Sequence, residues 1–279
     1  MVFQFCVENP STGALRAQPF MQEMMRYSTT VDYCQYKSLT EDGEWVTYAY
    51  RKPTLLCTNV PGAAEINRRC NCEGKRHASS LIGDKARGKR HTYGQGKKLP
   101  LPSKHAVPTE LQIEVLSRAQ TANPQATWVL DLFSGTQSLK VAAGRLKLKY
   151  VGVDIEEKVR VGRVDRVDRV DRVGRVDRAG STTKGTSRFV ETDIVKDLQE
   201  SDVRQVIKEA SLLAGEREDK LLLVWASPPC TTFSQCQTLL KPEKRHRDYS
   251  VPHRPAISDH ARRDDALVSN LVAQLTSLG

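Results

Sequence analysis

Two consecutive prolines, Pro228 and Pro229, end an apolar run and limit how this chain can fold. The run, residues 221–224, reads Leu-Leu-Leu-Val and is typical of a buried β-strand. Because proline has no backbone N–H, the strand cannot continue its hydrogen-bond ladder past these positions. Cys230 follows directly, so we expect it in a rigid turn at the carboxyl end of a strand, where open α/β sheets bind their ligands. Cys230 is therefore a candidate nucleophile, with a buried structural thiol as the alternative.

Length and charge restrict the class of protein. The chain has 279 residues, enough for one large domain or two small ones, and a hydrophobic content of 39% supports a core. The formal net charge of +10 favours a polyanion as partner, above all nucleic acid; a basic, solvated surface without a partner is the alternative. Residues 1–10 contain no signal peptide, and no apolar run reaches membrane-spanning length. With seven cysteines, an odd number, we expect an intracellular protein with reduced thiols and no membrane contact.

Strand and helix patterns alternate in the second half of the chain, which predicts an α/β fold with a parallel sheet. The predicted elements are a helix at 109–119, a strand at 128–133, a helix beginning near Ser138, strands at 150–153 and 188–190, a helix at 201–214, a strand at 220–226 and a helix at 259–278. The small-residue turn Ser134-Gly135-Thr136 and the helix after it would form a cradle for a nucleotide-like ligand. Asp154 or Glu156, at the end of the second strand, could accept hydrogen bonds from ribose hydroxyls.

Two motifs in this half resemble those of one enzyme family. Asp-Leu-Phe-Ser-Gly at 131–135 and Pro-Pro-Cys-Thr-Thr-Phe-Ser at 228–234 are similar to motifs of the DNA (cytosine-5) methyltransferase family. The resemblance implies a Rossmann-like S-adenosylmethionine-dependent methyltransferase fold, a mostly parallel seven-stranded sheet with an antiparallel closing hairpin. It also implies that Cys230 is the catalytic nucleophile and that S-adenosyl-L-methionine is the cofactor.

The resemblance further implies a cofactor site, residue by residue. Phe133, Ser134 and Gly135 would line the methionine moiety. Asp154 or Glu156 would hold the ribose, and Asp193 with Ile194 would flank the adenine. The other implied cofactor-binding positions are Asp131, Thr136, Ile155 and Pro228. One position departs from the family, which usually has a second glycine where this chain has Gln137.

The first half contains the remaining family motifs, out of their usual order. Residues 2–7 read as a strand with Glu8-Asn9-Pro10 at its carboxyl end, and the family's corresponding glutamate contacts nitrogen 3 of a flipped cytosine. The segments TTVDYCQY and YAYRKPTLLCTN resemble the closing hairpin of small single-domain members, which would make Arg51 a catalytic-site arginine. The whole chain therefore resembles such an enzyme in circularly permuted order, with residues 2–7 pairing in parallel beside 221–224. A fragment of a tandem array and a faulty gene model are the alternatives.

Three regions and one insert describe the predicted domain organisation. Residues 1–60 would be the second half of the catalytic domain, 61–108 a basic and partly disordered segment able to follow phosphates, and 109–279 the cofactor-binding half. Residues 159–178 repeat Val, Asp or Gly, and Arg with a period of three, which matches neither a helix nor a strand. We therefore expect residues 159–180 to form a mobile insert without core contacts.

Zinc is a weaker hypothesis than the enzyme. The basic segment and the residues before it contain Cys57, Cys70, Cys72 and His77. Structural zinc sites usually space their paired cysteines by two to four residues, and Cys-x-Cys fits this poorly. No metal site is therefore expected, and these four residues remain weak candidates.

The function expected from the sequence is methylation of cytosine carbon 5 in DNA through a covalent Cys230 adduct, with Glu8 and Arg51 as further catalytic residues. DNA would be the partner of a monomeric protein, in the nucleus if the source is eukaryotic. One rival is an amino-methyltransferase, whose Pro-Pro motif carries an aromatic residue where this chain has Cys230. Another is an inactive relic of a methyltransferase that binds nucleic acid.

Overall fold

A sheet with helices on both faces forms the body of the protein. The computed structural model describes residues 3–39, 43–47, 52–72, 107–134, 138–154, 192–195, 201–228, 232–233 and 242–278. The fold is α/β, with a mixed, mostly parallel sheet and a small antiparallel hairpin. None of the helices in this part of the chain is both long enough and apolar enough to cross a membrane.

The strands and helices follow one another along the chain in the predicted alternation. The strands are β1 Phe5–Pro10, β2 Ser28–Asp32, β3 Lys37–Leu39, β4 Trp45–Thr47, β5 Pro53–Thr58, β6 Trp128–Leu132, β7 Lys149–Asp154, β8 Thr192–Val195 and β9 Leu221–Ala226. The helices are α1 Thr109–Ala122, α2 Ser138–Arg145, α3 Val203–Ala214 and α4 Asp259–Leu278. Short 3-10 helices lie between β1 and β2, at Tyr33–Gln35 after β2, and at Ala63–Glu65 after β5.

The main sheet has the strand order β2-β5-β1-β9-β6-β7-β8, and β3 pairs with β4 in a separate hairpin. Among the described residues, six strands of the main sheet run in one direction, and β5 runs antiparallel between β1 and β2. The predicted parallel pairing of the first strand with the strand before Pro228 is confirmed, since Phe5, Cys6 and Val7 align with Val224, Trp225 and Ala226.

Two apolar layers enclose the sheet. One contains buried residues of α3 and α4, such as Ile207 and Leu271, packed on Val7 and Leu130. The other contains buried residues of α1 and α2 packed on the opposite face of the same strands. Every residue of β6 and β9 is buried, as expected for central parallel strands covered on both faces.

The predicted third strand, at 188–190, lies outside the described residues. The strand described next to it is β8, Thr192–Val195; Asp193, expected beyond the end of the third strand, lies inside β8 and is aligned with Gly152 of β7. The β-branched residues of 192–195 favour a strand there, despite the aspartate among them. The 159–180 insert and most of the basic segment, residues 73–106, lie outside the described residues.

Candidate active site

The site lies where the chain changes direction in the sheet. From β6 the chain adds β7 and then β8 on one side, and then returns to place β9 on the other side of β6. Open α/β sheets bind ligands at the carboxyl ends of the strands at such a point. The two strand ends are joined there, because the Ser227 N–H donates a hydrogen bond of 3.4 Å to the Leu132 carbonyl oxygen.

The turn after β6 has an unusual backbone. Phe133 has a φ of 65°, in the left-handed region that bulky residues rarely adopt. The Ser134 N–H donates to the Val153 carbonyl oxygen at 3.0 Å, which ties this turn to β7. Strained backbone of this kind is often found at functional sites, where the surrounding structure enforces it. Gly135 and Thr136, the rest of the predicted turn, lie outside the described residues.

Glu8 is buried near the carboxyl end of β1, beyond the last position paired with β9. The Tyr33 hydroxyl donates to its Oε1 at 2.6 Å, and the Lys52 Nζ lies 3.4 Å from the same oxygen. The Lys52 ammonium also lies 4.8 Å from the centroid of the Tyr33 ring. A buried carboxylate needs such partners, since its desolvation would otherwise cost several kcal/mol. Both of these contacts go to the same oxygen, Oε1.

Asn9, next to Glu8, is buried with unused hydrogen-bonding capacity. Neither its Oδ1 nor its Nδ2 has a hydrogen-bond partner among the described residues. A buried polar group left unpaired costs about 1–3 kcal/mol. This end of β1 therefore carries a buried amide that the described part of the chain leaves without a hydrogen bond.

The chain on both sides of Cys230 is attached to this same edge. Cys230 itself lies outside the described residues, whereas Pro228, before it, and Phe233, after it, are buried. The Phe233 carbonyl oxygen accepts a hydrogen bond from the Ala14 N–H at 2.6 Å. A Cβ on Gly13 would come within 3.0 Å of that oxygen, so glycine permits the close approach. The segment after Cys230 and the segment after Glu8 therefore lie against each other.

A fully buried arginine fixes the segment that follows Cys230. The Arg247 Nε donates to the Thr232 carbonyl oxygen at 2.9 Å, and the guanidinium lies 4.1 Å from the centroid of the Phe233 ring. The guanidinium also forms an ion pair with Asp265 of α4. Arg247 thus joins α4 to the backbone at 232–233.

The other predicted cofactor residues differ in their positions. Asp131 is buried within β6 and accepts a hydrogen bond from the Tyr150 hydroxyl at 3.1 Å, a contact internal to the sheet. Asp154 is half-buried at the end of β7, and Ile194 in β8 is half-buried against the core. The predicted site residues that lie outside the described residues are Arg51, Gly135, Thr136, Ile155, Glu156 and Cys230, with the weak metal candidate His77.

The cysteines of the central strands are unsuited to nucleophilic chemistry. Burial raises the pKa of Cys57 to about 12, and burial beside Cys57 and Glu8 raises the pKa of Cys6 well above its usual value. Both remain protonated at neutral pH, and a thiol is a much weaker nucleophile than a thiolate. Cys57, one of the weak metal candidates, lies in the apolar core, whereas the cysteine cluster among the described residues is formed by Cys34, Cys70 and Cys72.

Sequence reasoning missed Tyr33, Lys52, Cys34 and Arg247. The first three stand in the two segments that carry the hairpin resemblance, and their roles follow only from the pairing of β2, β5 and β1. Arg247 lies in a polar stretch with no periodicity, so no sequence signal marks it as buried. Comparison with protein-family models and with curated proteins finds no match to this chain.

Proposed function

We propose that this chain is an S-adenosylmethionine-dependent DNA (cytosine-5) methyltransferase that acts through a covalent Cys230 adduct on a flipped-out cytosine. The observation that supports this most is the parallel pairing of β1 with β9, which brings Glu8 and Pro228, the residue two before Cys230 in the chain, to one edge of the sheet. A thiol that attacks carbon 6 and a carboxyl group that holds nitrogen 3 must approach the same pyrimidine ring. The strands that precede the two motifs are neighbours in the sheet although they are far apart in the chain.

The permuted, Rossmann-like methyltransferase fold is part of this proposal. In such an arrangement, the helix after the cysteine segment leads in space to the Glu-Asn strand. The Phe3 N–H donates to the Leu278 carbonyl oxygen at 3.1 Å, so the end of α4 adjoins the chain that enters β1. The position of β5, antiparallel between β1 and β2, agrees with the hairpin that the resemblance implies.

The chemistry assigns distinct tasks to the chain's own residues. Carbon 5 of cytosine is a poor nucleophile, and addition of the Cys230 thiolate to carbon 6 loads electron density onto carbon 5. Glu8, entering this step as the carboxylic acid, would bind nitrogen 3 and transfer its proton to it, which stabilises the adduct; Tyr33 and Lys52 would stabilise the carboxylate that this transfer leaves. After carbon 5 is methylated, loss of its proton breaks the carbon–sulfur bond and releases Cys230.

The carboxyl edge of β6, β7 and β8 fits the cofactor in chemical character. Bound S-adenosylmethionine supplies an electrophilic methyl group on a sulfonium. Phe133, in its left-handed conformation, and Ser134 would line the methionine moiety. Asp154, half-buried at the end of β7, would accept hydrogen bonds from the ribose, and Ile194 would contact the adenine.

DNA that contains 5-fluorocytosine tests the proposal directly. Fluorine at carbon 5 cannot leave as a cation, so an active enzyme remains covalently attached to the base. We expect a denaturation-resistant protein–DNA complex that requires S-adenosylmethionine. Cys230→Ser should abolish it, because a hydroxyl is a far weaker nucleophile at neutral pH, and Cys236→Ser, a second cysteine of the same segment, is the matched control.

Three outcomes would count against this function. DNA binding without any covalent complex would indicate an inactive relic. Methyl groups on an exocyclic nitrogen, without trapping, would indicate an amino-methyltransferase. Trapping that persists in Cys230→Ser would remove Cys230 from the mechanism.

A further inference from the structure

Three cysteine sulfurs from two separate segments meet beside the Glu8 region. Cys34 belongs to the 3-10 helix Tyr33–Gln35, and Cys70 and Cys72 follow the chain that leaves β5. Their Sγ atoms all lie within 4.8 Å of one another. Cys34 is buried, and the other two are half-buried, so the cluster lies at the edge of the core.

Backbone contacts that do not involve the sulfurs bring the two segments together. The Asp32 N–H donates to the Arg68 carbonyl oxygen at 2.9 Å, and the Cys70 N–H donates to the Asp32 Oδ2 at 2.8 Å. The Arg69 Nε lies 3.2 Å from the same carboxylate oxygen, which is itself buried. The chain at 68–70 is therefore fixed against the end of β2 independently of any bond between the thiols.

A side-chain amide also points at the cluster. The Gln35 Nε2 lies 3.2 Å from the Cys72 Sγ and 3.8 Å from the Cys34 Sγ, with geometry that donates to both. Hydrogen-bond donors directed at sulfur are typical of the groups that surround metal-bound thiolates. Tetrahedral zinc with Zn–S bonds of about 2.3 Å places its sulfur ligands about 3.8 Å apart, which the separations here accommodate.

We propose that Cys34, Cys70 and Cys72 bind one Zn²⁺ ion as three thiolates, in a structural site that leaves one coordination position for a further ligand. Each thiol loses its proton to solvent on binding, so three protons are released and no electron is transferred. Cys34 takes the place that the sequence had suggested for Cys57. The ion would fix the 3-10 helix whose first residue, Tyr33, holds Glu8. The site stands on its own geometry and does not depend on the proposed function.

Metal content of the purified full-length protein is the first test. Elemental analysis should find one zinc per chain, and X-ray absorption spectroscopy should find three sulfur neighbours. Cys34→Ser, Cys70→Ser and Cys72→Ser should each weaken zinc affinity by more than about 100-fold, and Gln35→Leu, which removes the amide donor, by about tenfold. Cys57→Ala, a buried cysteine of β5, is the matched control and should keep its zinc.

The wild-type measurements keep the proposal falsifiable even if a serine variant does not fold. Absence of zinc after purification with zinc present throughout would overturn it. So would a coordination shell without sulfur, or a disulfide between two of the three cysteines in the metal-free protein under reducing conditions.

Discussion

Glu8 depends on one hydroxyl donor, and that donor can be removed without changing the packing. Tyr33→Phe keeps the ring and its contact with Lys52 but removes the O–H that donates to the Glu8 Oε1. Loss of a hydrogen bond to a charged group costs about 1.5–3 kcal/mol. If Glu8 supports methyl transfer as proposed, we expect kcat/KM to fall about tenfold to a hundredfold, measured with radiolabelled S-adenosylmethionine and DNA.

A neighbouring tyrosine supplies the matched control. The Tyr36 hydroxyl is buried, and it interacts with Arg68, Glu110 and Glu114 rather than with Glu8. Removing this hydroxyl leaves the hydrogen bond between Tyr33 and Glu8 in place. Tyr36→Phe should therefore retain normal turnover, and equal activities in the two variants would exclude the Tyr33 hydroxyl from catalysis.

Arg247 is the second residue whose removal should have a large effect. Arg247→Met preserves most of the side-chain volume but leaves Asp265 without its partner and the Thr232 carbonyl without its donor. Breaking a buried ion pair costs about 3–5 kcal/mol, and we expect the lower value because the Asp265 side chain is 25% exposed. Urea unfolding followed by tryptophan fluorescence measures the loss. Trapping on 5-fluorocytosine DNA should fall as well, because the segment after Cys230 loses its anchor.

An exposed ion pair on α4, the helix that carries Asp265, is the control for the Arg247 variant. Arg262 and Asp259 are 59% and 89% exposed, so Arg262→Met should change the free energy of unfolding by less than about 0.5 kcal/mol. Adding Asp265→Leu to Arg247→Met should recover part of the loss, since an apolar pair replaces a broken ionic one. A double variant that is less stable than the single one would contradict the buried-pair explanation.

At the residue scale, the sequence indicated candidate catalytic side chains but not the side chains that contact them. Cys230 and Glu8 were proposed from residue type and motif, because nucleophiles and acids are recognisable in themselves. Tyr33, Lys52 and Arg247 act through partners from other elements, and residue type alone does not indicate a partner. Sequence proximity to Cys70 and Cys72 likewise does not reveal that β5 carries Cys57 into the core.

At the element scale, one ion pair links the amino ends of the central strands to the helix before β9. Glu216, just after α3, lies 2.6 Å from the Lys149 Nζ at the start of β7 and accepts a hydrogen bond of 2.9 Å from the Thr127 hydroxyl before β6. The hydrogen bond from Lys149 and that from Thr127 lower the pKa of Glu216 below its usual value. A carboxyl group with a lowered folded-state pKa stabilises the protein above its unfolded pKa, and this contribution is lost as the pH falls through the folded pKa.

Glu216→Gln tests this contribution. At pH 7 the variant should be less stable than the wild type by no more than about 1 kcal/mol, because the pair is close to water. The difference in urea midpoints should shrink as the pH falls through the lowered pKa of Glu216, because protonation then removes the pair in the wild type as well. A difference that stays constant throughout the acid titration would show that the substitution acts through packing or through the Thr127 hydrogen bond alone.

Elements with strong apolar patterns were predicted within a few residues, and short elements were not. The runs that form β6 and β9 and the leucine face of α4 are long enough for burial to dominate local preference. The β3–β4 hairpin has three residues per strand, and β8 has an aspartate among its four residues. These strands are too short to show a hydrophobic periodicity, so their formation depends on pairing with other strands.

At the scale of the whole molecule, the sequence pattern predicted a sheet with helices on both faces, and the family resemblance predicted which strands are neighbours in that sheet. Alternating strands and helices require a sheet covered on both faces, which the two apolar layers confirm. Nothing within an apolar strand specifies which strand it will pair with. The pairing of β1 with β9 was inferred from the motifs that follow each strand, since both must reach one base, and the structure has this pairing.

A rearranged chain, in which the motifs follow the usual order of the family that the sequence resembles, tests whether the present order is a circular permutation of that fold. Because the Phe3 N–H bonds to the Leu278 carbonyl oxygen at 3.1 Å, a short Gly-Ser linker can join the existing ends. New ends can be opened within 73–106, so that all 279 residues are retained. We expect the free energy of unfolding to stay within about 1 kcal/mol of the wild type, since loop-closure entropy changes slowly with loop length.

As the control, the same linker is combined with new ends between Leu116 and Ser117. This cut interrupts α1, whose buried face includes Leu111 and Val115, and should destabilise the protein strongly. Two outcomes would contradict the permuted order: the first rearranged chain fails to fold, or it loses trapping on 5-fluorocytosine DNA while zinc is bound. Either would show that the connection between α4 and β1 is not equivalent to a surface loop.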